Sequence, residues 1–179
     1  DAGMMSRVRA LKGSTGIGNV RYTTSGSSDV SGLHGDAMPI MASQGGRTVA
    51  MSFNGNVVNV QSLQNLVGVD RGRSDAHALC QLILQETRNS GSVEEGARRC
   101  MEVVDGSFSI TGLDSDGTLF AFKDPHGIKP LCHGCRGNVN AFSSESVGLD
   151  INGIQLEQEI KPGEFMKVSG GEVTREQLH

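Results

Sequence analysis

Residues 107–123 read Ser107-Phe108-Ser109-Ile110-Thr111-Gly112-Leu113-Asp114-Ser115-Asp116-Gly117-Thr118-Leu119-Phe120-Ala121-Phe122-Lys123. Two runs with strand periodicity, Ser107–Leu113 and Thr118–Lys123, flank the Asp114-Ser115-Asp116-Gly117 turn, which predicts an antiparallel hairpin. Immediately upstream the period is helical. Ala76, Leu79, Cys80, Ile83 and Leu84 recur at i, i+3, i+4, i+7 and i+8 and predict a helix near 75–88. Ser92-Val93-Glu94-Glu95 predicts a second helix over 92–104, opened by a capping box between Ser92 and Glu95. Its apolar stripe is Val93, Ala97, Cys100, Met101 and Val104. The two helices are expected to pack together on one face of a sheet.

Farther out the same reading continues. Met4–Leu11 reads as the tail of a helix ended by Gly13, and Gly16–Tyr22 as a strand followed by a glycine- and serine-rich loop from Ser25 to Gly35. Short strands are expected near Pro39–Ala42 and Thr48–Phe53, and Asn59 is expected to cap a helix carrying Leu63, Leu66 and Val67. Beyond the hairpin, strand pairs are expected at Lys129–His133 with Asn138–Ser143, and at Glu159 through Val168 with Val173. Strands, then two helices, then more strands imply an α+β layering rather than alternating βαβ units.

Composition excludes several classes of function. The 179 residues fit one domain with a substantial core, with no internal repeat or linker. Hydrophobic residues at 36% and charged residues at 20% indicate a globular chain rather than a disordered one. A net charge of -4 argues against a phosphate-tracking nucleic-acid surface, and the absence of Trp with a single Tyr argues against base stacking. No apolar run reaches membrane-span length and no signal pattern opens the chain, so a cytoplasmic location is expected. Cys80 and Cys100 fall on helical apolar stripes, where a thiol acts as a small hydrophobe. Cys132-His133-Gly134-Cys135 has metal-knuckle spacing but lacks a second ligand pair, so a reduced turn without metal is expected there.

Several short polar motifs carry candidate chemistry. Gly13-Ser14-Thr15-Gly16-Ile17-Gly18 leads into a strand, whereas phosphate-binding glycine loops lead into a helix N-terminus. Arg21, at a strand end, is either an ordinary ion-pair residue or a bidentate clamp for a carboxylate. Asp75, in the first turn of a helix, is either a dipole-complementing residue or a receptor for an ammonium. Asn54-Gly55-Asn56 is a turn signal on its own; functionally, the Asn54 amide and Gly55 N–H can serve as two donors to a developing oxyanion. The glycine would then let substrate approach the backbone closely. Cation, paired donors and carboxylate together can hold an amino-acid amide. No residue offers itself as the nucleophile, and the first residue is Asp1.

The order of these motifs resembles the class II glutamine amidotransferases of the N-terminal-nucleophile hydrolase superfamily, and within them the glutaminase domains of amidophosphoribosyltransferases. Val20-Arg21-Tyr22, Asn54-Gly55-Asn56, Ser74-Asp75, Asp124-Pro125 with Gly127-Ile128-Lys129-Pro130-Leu131, and Ser144-Glu145-Ser146 carry the resemblance from about Gly13 to Glu172. It implies an αββα sandwich lacking its leading strands in this chain. Arg21 and Thr24 would bind the glutamine α-carboxylate, Asp75 the α-ammonium, and Asn54 and Gly55 would form the oxyanion hole. An N-terminal cysteine would attack the amide, and ammonia would pass to a phosphoribosyltransferase domain for phosphoribosylamine synthesis in purine biosynthesis. No cofactor is implied for this segment, Mg belongs to the phosphoribosyltransferase domain, and the parent is expected to be a homo-oligomer.

The chain departs from the pattern in three ways. The family's opening Cys-Gly-Ile is absent, Phe53 stands where a histidine is usual, and His77 stands where an acidic residue is usual. The chain is therefore read as a single partial amidotransferase domain without its nucleophile, inactive alone, from an active parent. A non-catalytic glutamine-binding pseudoenzyme and another class II enzyme, such as glucosamine-6-phosphate synthase, are the alternatives.

Overall fold

The computed structural model describes Ser6, Ala10, residues 12–20 and residues 37–179. Two strands open the main body, β1 (Ile40–Gln44) and β2 (Arg47–Val57). They are joined by Gly45 and Gly46, whose φ values of 59° and 80° suit a two-residue hairpin loop. Three helices follow, α1 (Val60–Val67), α2 (Asp75–Ser90) and α3 (Val93–Val103). The chain then forms β3 (Gly106–Asp114), β4 (Leu119–Lys123), β5 (Cys132–Arg136) and β6 (Val139–Ser143). A short helix α4 (Ser146–Asp150) leads to β7 (Gln155–Glu159), β8 (Glu164–Ser169) and β9 (Glu172–Gln177).

Every strand pair is antiparallel. Among the described residues, one sheet has six strands in the order β1-β2-β3-β4-β8-β9, and a second has three in the order β6-β5-β7. The expected hairpin is present as β3–β4. Asp114 Oδ1 accepts the N–H groups of Asp116 and Thr118, both at 2.9 Å, and Gly117 takes φ 85°.

One face of the large sheet is apolar and meets α2. Phe108, Phe120, Phe122 and Phe165 form an aromatic layer with ring centroids 6.0–6.4 Å apart. The predicted stripe of α2 is buried, and so are Ala78, Leu82 and Thr87, because α1 and α3 flank the helix on either side. Gly96 allows the close approach of α3, since a Cβ there would lie 3.1 Å from Ile83. The opposite face of the large sheet presents Ala121 and Met166, which pack with Leu131, Ile160 and Phe142 of the small sheet and its flanks. Phe142 pairs with His133. The next residue, Gly134, lies against buried Leu149 of α4. Successive strand residues face opposite sides, so α4 covers the far side of the small sheet. The layers are helix, sheet, sheet, helix, as the αββα expectation requires.

Two local readings change in detail. Ser92 caps α3, but its Oγ accepts the Glu94 N–H (3.2 Å) and donates to the Glu94 carboxylate, so Glu94 rather than Glu95 completes the cap. Glu95 instead accepts from Arg98 Nε at 3.3 Å. The pull on Glu94 is tertiary, because Lys167 of β8 also pairs with its carboxylate. Asn59 stands at the N-cap of α1 without a side-chain cap bond. Its amide donates to Val103 O (2.8 Å) and its carbonyl accepts from Asp105 N–H (3.0 Å), fastening the α3–β3 connection.

Candidate functional site

Asn54 and Gly55 lie within a strand, not at the turn their dipeptide signals. β2 stays paired with β3 through Asn54↔Ser109, Gly55↔Phe108, Asn56↔Ser107 and Val57↔Gly106. The ladder from a strand fifty residues later overrides the local turn preference. The need for glycine at position 55 also comes from this ladder. A Cβ there would sit 2.4 Å from the Ser107 carbonyl oxygen and 2.9 Å from Phe108 Cα.

The edge of β2 beyond Met51 is where the polar groups gather. β1 pairs with β2 from Gln44↔Arg47 as far as Ile40↔Met51, so among the described residues no strand covers β2 from Ser52 to Val57 on that side. The Val57 N–H points to this edge, since it donates to Asp75 Oδ2 at 3.4 Å. Val58 N–H points the other way, to Asp105 O at 2.7 Å. N–H groups alternate sides along an antiparallel strand, so the Gly55 N–H leaves β2 on the same edge as Val57. The two N–H groups are about 7 Å apart at two residues' rise.

Asp75 is positioned by the start of α2. Ser74, extended at the N-cap, holds His77 Nδ1 through its Oγ at 2.9 Å. Asp75 Oδ1 accepts the Ala76 N–H at 2.8 Å. The half-buried carboxylate opens into a cavity of about 370 Å³ lined by Asn56, Val57, Val60, Gln61, Gln64, Arg71, Arg73 and Asp75. Gln64 is buried and fixes the cavity's loop by donating to Arg73 O at 2.7 Å. Arg71 and Arg73 were not among the residues singled out from sequence; their placement depends on how residues 68–74 fold back over α1. Asn54 is exposed on the β2 face opposite the helices. Ser52, two residues earlier on that face, donates to Gly18 O at 3.1 Å, which sets Gly18 against β2 at Ser52. Arg21 and Thr24 themselves lie outside the described residues.

The remaining motifs resolve into structural roles. Asp124 is fully buried; its Oδ2 accepts the Phe108 N–H (2.8 Å), and its Oδ1 accepts those of His126 (2.7 Å) and Gly127 (3.0 Å). Gly127 takes φ 64° against Pro162. The Asp124–Leu131 run therefore ties the end of β4 to the start of β3 and to the loop before β8. Glu145 is the exposed N-cap residue of α4. Phe53 is buried in the helix-side core, which explains an aromatic residue at that position.

None of the four cysteines has the environment of a nucleophile. Burial pushes the Cys80 thiol up to about 12 and raises that of Cys100 as well. Burial also raises Cys132, while the Glu157 carboxylate, accepting from Cys135 Sγ at 3.2 Å, raises Cys135. A reactive cysteine requires the opposite shift. Cys132-His133-Gly134-Cys135 forms β5 rather than the expected turn, paired on both sides by β6 and β7, and Cys132 Sγ donates to Ser143 O. No cluster of three metal-ligating side chains occurs among the described residues.

Comparison with known proteins gives the class of domain. Residues 27–150, more than half of the chain, match the glutamine amidotransferase domain family, and the chain belongs to that family. It is similar to the amidophosphoribosyltransferase of Methanothermobacter thermautotrophicus, with 28% identity over 169 residues, covering 92% of this chain and 35% of the relative. Its identity to that of Archaeoglobus fulgidus is 30% over 168 residues, covering 91% and 35%. The chain thus spans about a third of the length of these relatives. Glutamine phosphoribosylpyrophosphate amidotransferase from B. subtilis, solved with ADP and GMP, superposes with a TM-score of 0.74 over 90% of this chain and 34% of that one, at 23% identity. That likeness establishes the N-terminal-nucleophile hydrolase fold. Among the described residues, no helix is long and apolar enough to cross a membrane.

Proposed function

We propose that this chain is the glutaminase part of an amidophosphoribosyltransferase, converting glutamine and water to glutamate and ammonia for phosphoribosylamine synthesis. The observation that carries the reading is the uncovered edge of β2, with the Gly55 N–H one strand step from the carboxylate of Asp75. Asp75 takes the α-ammonium of glutamine. Arg21 and Thr24 take the α-carboxylate, as the family resemblance implies. The Asn54 amide and the Gly55 N–H donate to the carbonyl oxygen as it becomes an oxyanion, when donors fixed in advance contribute most. The attacking group is the family's N-terminal cysteine. Ammonia released from the amide passes to a phosphoribosyltransferase domain, where Mg acts, within a homo-oligomeric cytoplasmic enzyme.

The test uses the native full-length protein and follows glutamate release. Asp75→Asn keeps the shape of the side chain and removes its charge, so it should raise KM for glutamine by about tenfold or more with little change in kcat. Asn54→Ala should lower kcat by about 10²–10³-fold, the cost of removing one oxyanion donor. Synthesis from added ammonia should survive both changes. An unchanged KM in Asp75→Asn would remove Asp75 from the substrate site, and an unchanged kcat in Asn54→Ala would leave Asn54 as a strand residue only.

A further inference from the structure

Residues 68–74, between α1 and α2, bring two arginines to the cavity that holds Asp75. The loop is built as a fixed mount. Gly68 ends α1 with φ 71°, and the N–H groups of Gly68 and Val69 both donate to Gln64 O. The buried Gln64 side chain donates to Arg73 O at 2.7 Å, and the Arg73 N–H donates to Asp70 O at 3.0 Å. One glutamine therefore grips both ends of the loop, and the Arg73 backbone is held at its N–H and at its carbonyl. Ser74, extended, is the one residue between Arg73 and Asp75, so their Cα atoms lie about 7 Å apart.

The cavity offers charges of both signs. Asp75 is half-buried; its Oδ1 accepts the Ala76 N–H at 2.8 Å, and its Oδ2 only the longer bond from Val57 N–H at 3.4 Å. Arg71 and Arg73 are exposed, and among the described residues neither guanidinium takes part in an ion pair or a hydrogen bond. An exposed arginine needs no partner. These two differ from ordinary solvated arginines in sharing a concave polar site with a carboxylate that they do not neutralise. An α-amino acid carries its ammonium and its carboxylate on one carbon, and the planar guanidinium fork matches a carboxylate as a lysine does not.

We propose that Arg73, assisted by Arg71, is a specificity-determining residue that donates to the α-carboxylate of the substrate whose α-ammonium meets Asp75. The inference rests on the glutaminase reading above and adds a second carboxylate receptor to Arg21. A carboxylate has about four acceptor sites, enough for forks from more than one arginine. The consequence is discrimination. Free glutamine is accepted, and a glutamine whose α-carboxylate is blocked loses these bonds while keeping its ammonium and its reacting amide.

The experiment uses the native full-length protein and two substrates, glutamine and its α-carboxamide, glutaminamide. Release of the γ-carboxylate product is followed by chromatography, with the thermal midpoint measured alongside. Arg73→Gln should raise KM for glutamine about tenfold and leave kcat within about twofold, a charge-assisted bond discounted for exposure. Arg71→Gln should raise KM about threefold. Neither change should lower kcat/KM for glutaminamide, so the preference for the free acid falls by the same factors. Arg73→Lys keeps the charge without the fork and should lie between Arg73→Gln and wild type; if Arg73→Gln does not fold, Arg73→Lys is read by the same ratio. A KM for glutamine that stays at the wild-type value in Arg73→Gln overturns the proposal. An equal loss on both substrates also overturns it, because it would make Arg73 a support of the loop. Wild-type protein that releases no glutamate overturns the glutaminase reading and this inference with it. An active wild type that responds to Asp75→Asn but not to the arginine changes removes Arg71 and Arg73 alone.

Discussion

Gly55→Ala tests whether β2 needs glycine at this position for its partner strand rather than for a substrate. An added Cβ would meet the Ser107 carbonyl oxygen at 2.4 Å, with Phe108 Cα and Cβ both at 2.9 Å. The closest ordinary C–H···O contacts are about 3.3 Å, so the methyl overlaps the β3 backbone by nearly an ångström. Neither side can yield easily, because Asn54↔Ser109 and Asn56↔Ser107 hold the ladder on both flanks. Overpacking against backbone belongs at the upper end of the usual range, about 3 kcal/mol. For a domain of this size, that lowers the melting temperature by about 6–12 °C. Differential scanning calorimetry measures it directly. Gly72→Ala is the control: a Cβ there would meet nothing within 4 Å, and its midpoint should stay within about 2 °C of wild type. A Gly55→Ala protein that melts with wild type while losing glutamine turnover would refute the reasoning and return the glycine to the substrate side.

Two further outcomes follow from buried polar groups. Asp124→Asn replaces an acceptor of three backbone N–H bonds with an amide that must turn donors toward one of them, and urea denaturation should show a loss of about 3 kcal/mol. At Glu94, burial opposes ionisation, but Lys167 and Ser92 outweigh it and hold the carboxyl below its ordinary value. A folded-state value below the unfolded one means that the group contributes stability above the ordinary carboxylate range, and that this contribution is lost as pH falls through the lowered value. Glu94→Gln should therefore reduce the melting temperature at neutral pH and flatten its acid limb; parallel melting profiles for the two proteins across that limb would dismiss Glu94 as a contributor.

Local periodicity made much of the fold legible. The stripe from Ala76 to Leu84, the Ser92 start and the turn at Asp114–Gly117 each rest on contacts within a few residues, and each produced its predicted element. The same logic identified Asn54, Gly55 and Asp75 as chemically suitable groups. It could not show that Asp75 reaches the β2 edge at Val57, or that Asn54 lies on the face of β2 away from the helices. Asn-Gly reads as a turn until β3 pairs across it. Cys132–Cys135 reads as a knuckle or turn until β6 and β7 claim both sides of the segment. Glu94 displaces Glu95 at the cap because Lys167, seventy-three residues later, sits beside it.

Sequence by itself thus determined which segments coil or extend and which side chains carry suitable chemistry, because those properties depend on short-range sterics and on the functional groups themselves. Tertiary structure decided the register. It uncovered the β2 edge where β1 departs, set Asp75 against the Val57 N–H, and brought Arg71 and Arg73 to the Asp75 cavity. A shift of one residue in a strand ladder would turn its side chains to the opposite face. The ladder itself is selected by burial of Phe108, Phe120, Phe122 and Phe165 against the helices, an energy that exists only once distant segments have come together.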